Sequence, residues 1–134
     1  MIVDTAAINA ILRGEPDADR DVEALGRATE SLVSVGTYLE TAIVIDANRD
    51  PVLSGRLDDL LAVAGIKVEP VTKRHAERAG QAFRDFGRGS GHPAGLNLGD
   101  CFAYSLARAS GQPLLFKGDD FSKTDVTSTL AAGG

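Results

Sequence analysis

With 134 residues, 43% of them hydrophobic and 25% charged, the chain has the length and composition of one compact domain of ordinary globular type. Its single cysteine, Cys101, excludes an internal disulfide framework, and no apolar run nears the ~18 residues that suggest a membrane span. The net charge of −5 excludes a uniformly basic surface but hides an asymmetry: residues 73–92 carry +3 (Lys73, Arg74, Arg78, Arg84 and Arg88 against Glu77 and Asp85), and the remainder −8. Met1 leads directly into an apolar run, without the basic and apolar segments of a secretory leader, so a cytoplasmic location is expected.

The elements alternate. Ile2-Val3 reads as a short strand, and Ala6 to Leu12 as a helix ended near Gly14 and Pro16. Asp17 is placed to cap a second helix reaching Thr29, with Val22, Leu25 and Gly26 on one side. Leu32 to Val35 is a β-rich run. The helix expected after it, Gly36 to Ala47, carries Leu39, Ala42, Ile43 and Ala47 at helical spacing. Asp50-Pro51 starts another helix that Gly65 stops.

Ile66 to Val71 alternates as an edge strand does. Thr72 caps a basic amphipathic helix with Ala76, Ala79, Phe83 and Phe86 inward. The glycine-rich loop 87–95 lacks both the spacing and the preceding strand of a dinucleotide fingerprint. A helix from Asn97 to Ser110 and a strand from Pro113 to Phe116 follow, with an edge pairing at Asp125-Val126. One domain over 1–130 and a frayed tail at 131–134 complete the expectation. Strands separated by helices predict an α/β fold: a mostly parallel sheet of four to five strands with helices on both faces.

Four acids stand in apolar company. Asp4 closes the first strand, and Asp119 follows the last. Glu40 shares a helical face with Gly36, Ile43, Val44 and Ala47; Asp100 shares one with Leu96, Ala103, Tyr104 and Ala107. Both faces should point inward, and in parallel sheets sites form beyond the carboxyl ends of the strands. All four acids can therefore converge there. Clustered carboxylates repel unless a cation compensates, and oxygen donors without histidine select magnesium, or manganese, over zinc. Such a site polarises a phosphodiester and activates water.

Met1-Ile2-Val3-Asp4-Thr5, Tyr38-Leu39-Glu40, Leu96-Asn97-Leu98-Gly99-Asp100-Cys101 and Pro113-Leu114-Leu115-Phe116-Lys117-Gly118-Asp119-Asp120-Phe121 stand in an order and at separations that resemble the PIN domain. More narrowly, the chain is similar to the VapC toxins of bacterial toxin–antitoxin pairs. The resemblance spans nearly the whole chain and implies a magnesium-dependent endoribonuclease, a VapB-like antitoxin partner and a homodimer of toxin chains. It also implies that Asp4, Glu40, Asp100 and Asp119 are catalytic. Asp4 and Asp100 would be the principal metal ligands, with Glu40, Asp119 and Asp120 secondary. The last motif is one residue shorter than its commonest form, which leaves both Asp119 and Asp120 as candidates for the fourth acid. Thr5 is placed to orient a carboxylate or a metal-bound water.

Arg84, Arg88 and Lys117 are candidate RNA contacts; a solvated face or an ion pair explains them as well. His75 and His92 sit where exposure accounts for them, and Cys101 should pack as a small apolar group. The rival function is a phosphorylatable, magnesium-binding module of the receiver type. That design needs two adjacent acids after the first strand and an aspartate after a central one; Asp4 stands alone, no aspartate follows Leu32 to Val35, and only Lys117 fits.

Overall fold

The computed structural model describes residues 1–47, 49–117 and 121–128. Strands β1 (Ile2–Val3), β2 (Ser31–Ser34), β3 (Ile66–Glu69) and β4 (Leu114–Leu115) form one parallel sheet in the order β3-β2-β1-β4. Among the described residues, six α-helices accompany them: α1 (Thr5–Leu12), α2 (Ala18–Arg27), α3 (Val35–Asp46), α4 (Pro51–Ala64), α5 (Lys73–Phe86) and α6 (Leu98–Ser110). The expected α/β class and parallel sheet are met with four strands.

Neighbouring residues of each strand face opposite ways, so the sheet supports two cores. Ile2, Leu32 and Leu114 pack with Ala79, Ala82, Ala103 and Leu106 of α5 and α6. Val3, Val33 and Leu115 pack with Ile8, Leu25, Leu57 and Leu61 of α1, α2 and α4. Burial on both faces is what makes β1 and β4 apolar at every position.

The strand order sets the place of a site. From β1 the chain steps outward to β2 and β3, then returns across the sheet to lay β4 on the other side of β1. The connections beside β1 and β4 therefore diverge onto opposite faces, leaving a crevice beyond their carboxyl ends. Asp4 N–H donates to Leu115 O at 3.0 Å, which fixes the end of β1 against the end of β4.

Local chemistry accounts for most boundaries. Asp50 caps α4 through the N–H groups of Val52 and Leu53, Pro51 opens the helix, and Gly65 closes it with φ 65°. Thr72 accepts from His75 N–H at 3.1 Å to cap α5. Other expectations are corrected. Asp17 precedes α2, but its own backbone is already helical (φ −84°, ψ −5°) and its carboxylate makes no capping bond. Ser34, not a later residue, ends β2; its hydroxyl accepts from Gly36 N–H at 3.2 Å, so Val35 begins α3. Leu114 N–H donates to Thr127 O at 2.8 Å and Leu114 bridges to Ser128, so the edge pairing lies past Asp125-Val126, whose Asp125 carboxylate accepts from the Tyr104 hydroxyl at 2.6 Å.

Three helical faces turn differently from their periodicity. In α2 the buried residues are Ala18, Asp21, Ala24 and Leu25, while Val22 is exposed. In α5, Ala79 and Ala82 are buried; Phe86 packs against the core edge, and Phe83 faces out. In α3, Thr37, Thr41 and Ile45 are buried, whereas Leu39 and Ile43 are 59% and 60% exposed.

Candidate active site

Asp4 is the most constrained of the acids. It is the N-cap of α1, with extended backbone (φ −94°, ψ 161°), and its Oδ2 accepts from Ala6 N–H at 3.4 Å. The residue is only 4% exposed, and its Oδ1 is buried without a hydrogen-bond partner. Burial, then the nearby Asp100 charge, pushes the carboxyl up to about 7; Glu40 adds to the rise, and the N–H groups of Thr5 and Ala6 oppose it.

Asp100 occupies the third position of α6. Its Oδ2 accepts from Asn97 N–H at 3.0 Å while Asn97 Oδ1 accepts from Asp100 N–H at 2.8 Å, a reciprocal capping box. This pair orients the carboxylate from below and leaves it beside Asp4. The neighbours expected for Asp100 hold: Leu96, Ala103, Tyr104 and Ala107 are all buried.

Glu40 reaches the same neighbourhood by another route. Its helical face is not the core-facing stripe expected, since Ile43, Val44 and Ala47 are exposed. Half-burial comes from outside α3. The Thr5 hydroxyl donates to Glu40 Oε1 at 2.7 Å, and the carboxylate lies against the backbone of Gly99 in the first turn of α6. The negative group thus sits at the positive end of that helix. Behind Thr5, the buried Thr41 hydroxyl lies 3.2 Å from Thr5 Oγ1 and 2.8 Å from the Thr37 carbonyl. Close approach of α3 and α6 needs Gly36, where a Cβ would meet the Phe102 ring at 2.5–2.8 Å.

Asp4, Glu40 and Asp100 thus share one electrostatic neighbourhood at the β1/β4 crevice. Asp119 and Asp120 lie outside the described residues. Among the described residues, no group of three or more histidine, cysteine, aspartate or glutamate side chains is set to hold a metal ion by itself. The buried, unpartnered oxygen of Asp4 is nevertheless suited to a hard divalent cation, because it is an anionic donor that no N–H or hydroxyl satisfies.

The remaining candidates divide. Lys117 is ion-paired to Glu15, with Asp17 and the buried Asp21 also close enough to raise its pKa. Its ammonium therefore ties the segment after β4 to the turn between α1 and α2. Arg84 is exposed and bonded to Gln81 Oε1 at 2.7 Å; Arg88 is exposed in the loop that follows α5. His92 accepts from Ala94 N–H through Nδ1 at 3.0 Å and packs edge-on against Phe86, a loop-building role. Cys101 is buried, its Sγ 3.3 Å from Asn97 O, and burial pushes its thiol up to about 11, so it stays protonated.

Asn97 and Gly99 were not singled out as site neighbours by their sequence context. Asn97 had a readable signal, the N-x-x-D spacing of a capping box. Gly99 had none, since its role depends on a contact with Glu40 of another helix.

Residues 1–126 match the family model described as PIN domain. The chain belongs to the PIN-domain family. Within it the chain belongs with the VapC ribonucleases. It is 55% identical to ribonuclease VapC28 of Mycobacterium tuberculosis over 130 residues, covering 97% of this chain and 98% of that one. Ribonuclease VapC42 of the same organism is 50% identical over 126 residues, covering 94% and 96%. Among solved structures, M. tuberculosis VapC20, described as a sarcin–ricin loop cleaving toxin, superposes with TM-score 0.76 at 16% identity, covering 94% of this chain and 95% of that one. A toxin–antitoxin complex from Klebsiella pneumoniae gives TM-score 0.71 at 16% identity, covering 96% of each. At such identity these two likenesses speak for the PIN fold alone. The family match replaces the receiver-type alternative. No described helix is long and apolar enough to cross a membrane.

Proposed function

We propose that this chain is a divalent-cation-dependent endoribonuclease acting as the toxin of a toxin–antitoxin pair, with residues 1–130 as its one catalytic domain and the cytoplasm as its place of action. The observation that carries it is Asp4: a buried carboxylate with an unpartnered oxygen, at the crevice between β1 and β4, beside Asp100 and Glu40. Asp4 and Asp100 are the principal ligands of a magnesium ion, or of manganese in its place. Glu40 and one of Asp119 and Asp120 complete the anionic wall, with Asp119 favoured as the nearer to the strand end.

A cation held there supplies Lewis-acid stabilisation of charge on the phosphodiester and activation of water. The chain's own residues do the rest. Asp100 is held in place by its capping box, and Glu40 by Thr5, so neither has to reorganise as charge develops. Glu40, half-buried and closest to a hydroxyl partner, is placed to orient the attacking water. Arg84 and Arg88 lie on the basic segment and present exposed guanidinium groups to an RNA backbone. Lys117 serves instead as a tether through Glu15.

Two partners follow. A VapB-like antitoxin neutralises the toxin by placing a basic side chain among the acids, where it competes with the cation for the same negative potential. A second toxin chain packs on the apolar face formed by Leu39, Ile43, Val44 and Leu98; Leu98 is 71% exposed, and four-residue spacing sets Leu39 and Ile43 side by side on α3 with Val44 next to them.

The experiment is cleavage of total RNA by the purified chain, with magnesium and with chelator. Cleavage should need the cation and should fall at least about 100-fold in Asp100→Asn, whose amide keeps an acceptor for Asn97 N–H but removes the charge. Co-expressed antitoxin should relieve growth arrest by the parent. Cation-independent cleavage, or an Asp100→Asn variant as fast as the parent, would sink the reading.

A further inference from the structure

Gly99 is an anomaly of local chemistry. It lies inside the first turn of a thirteen-residue helix, where glycine is less favourable than alanine, and its backbone is not in the left-handed region that would require it. The nearest obstacle to a side chain there is one neighbour, Glu40. The three nearest heavy atoms to a Cβ built at this position are Glu40 Oε2, Cδ and Oε1, all well inside van der Waals contact. Thr5 closes the other side of the same carboxylate with its 2.7 Å hydrogen bond. The Glu40 head group is therefore clamped between a hydroxyl from α1 and bare backbone of α6.

We propose that Gly99 is a positioning residue for Glu40: the lack of a Cβ in the first turn of α6 is what lets the carboxylate lie against that turn, beside Asp4 and Asp100. The proposal rests on the ribonuclease reading above. Its physical content is an asymmetry between fold and function. Glu40 has three rotatable side-chain bonds and a route to solvent, so a methyl group at position 99 displaces the carboxylate rather than the helices. The helix itself gains a better former. Misplacing a catalytic group by about 1 Å costs on the order of 100-fold in rate. A glycine conserving only packing would show the reverse: lost stability and, in the molecules still folded, intact chemistry.

The test combines Gly99→Ala with Glu40→Ala, measuring RNA cleavage under magnesium and the thermal midpoint of each variant. Gly99→Ala should melt within a few degrees of the parent yet lose cleavage about as severely as Glu40→Ala. Added to Glu40→Ala, it should cost nothing further, because the group it displaces is already gone. A parent that fails to cleave RNA, or a Glu40→Ala variant that cleaves normally, would overturn the ribonuclease reading itself. If the parent cleaves and Glu40→Ala is impaired, three results overturn the proposal alone. These are Gly99→Ala cleaving within twofold of the parent, its loss adding in full to that of Glu40→Ala, or its midpoint dropping by more than about 10 °C, which would mark a packing residue.

Discussion

Asp4→Asn should make the cation-free protein more stable and the enzyme inactive. The carboxyl of Asp4 is held up to about 7 by burial and by the charges of Asp100 and Glu40, against 3.8 for an unperturbed aspartate. A raised folded-state pKa means that the native protein binds the proton more tightly than the unfolded chain does. Between about pH 4 and pH 7 the unfolded state ionises while the native state resists, so stability falls as pH rises through that window and the full penalty stands above it. At roughly 1.4 kcal/mol per pKa unit, the penalty is on the order of a few kcal/mol.

Asparagine removes that penalty and still offers an oxygen to Ala6 N–H at the cap. Denaturant melts in chelator should therefore find Asp4→Asn more stable than the parent at pH 8, with the gap closing toward pH 4. Cleavage should fall at least about 100-fold. An Asp4→Asn variant less stable than the parent at pH 8, or one that still cuts RNA normally, would remove Asp4 from its central place. Opposite signs for stability and activity separate a functional carboxylate from a structural one, because a structural acid loses both together.

Charging the exposed face of α3 should separate the toxin chains. Leu39 and Ile43 are one helical turn apart, 59% and 60% exposed, and continuous with Leu98 of α6. An apolar row of this kind gains by burial against its own copy, and a two-fold pairing places the same residues on both sides. Leu39→Asp with Ile43→Asp puts two carboxylates from each chain into that contact. Desolvation and like-charge repulsion should then weaken dimerisation by at least about 100-fold. Sedimentation velocity should show a parent of two chains and a variant of one, with the thermal midpoint of the isolated domain little changed, since neither residue lies in its core. A monomeric parent would contradict the dimer, and a dimeric variant would place its interface elsewhere.

The same face shows where sequence periodicity stops being informative. The spacing of Leu39, Ala42, Ile43 and Ala47 identifies an apolar stripe on α3, but a stripe does not say which surface covers it. The domain's own core takes Thr37, Thr41 and Ile45 instead. Thr41 is tolerated there because its hydroxyl reaches a helical carbonyl at 2.8 Å. In α2 the buried Asp21 was likewise illegible, since its compensating charge, Lys117, lies far along the chain and meets it only through the fold.

What was legible had local causes. The caps at Asp50 and Thr72 and the stops at Gly65 and Gly111 are short-range chemistry, and they mark the alternation of strands and helices; the caps at Ser34 and Asn97 emerge only in the structure. Alternation implies parallel pairing, and parallel pairing sends Asp4 to a carboxyl edge. Glu40 was placed beside it for an incorrect reason: its face of α3 is not inward, and the first turn of α6 covers it from outside. Asp119 and Asp120 stay undistinguished, outside the described residues.

The central claim is that these acids act as one cation-binding unit. It is tested most directly by titrating manganese into the parent and Asp4→Asn proteins, reading bound ion by electron paramagnetic resonance. The parent should bind manganese with an affinity that rises with pH through about 7, as Asp4 gives up its proton to the ion. In Asp4→Asn, binding should fall at least about tenfold together with cleavage. Equal manganese binding by the two proteins, whatever their rates, would contradict it.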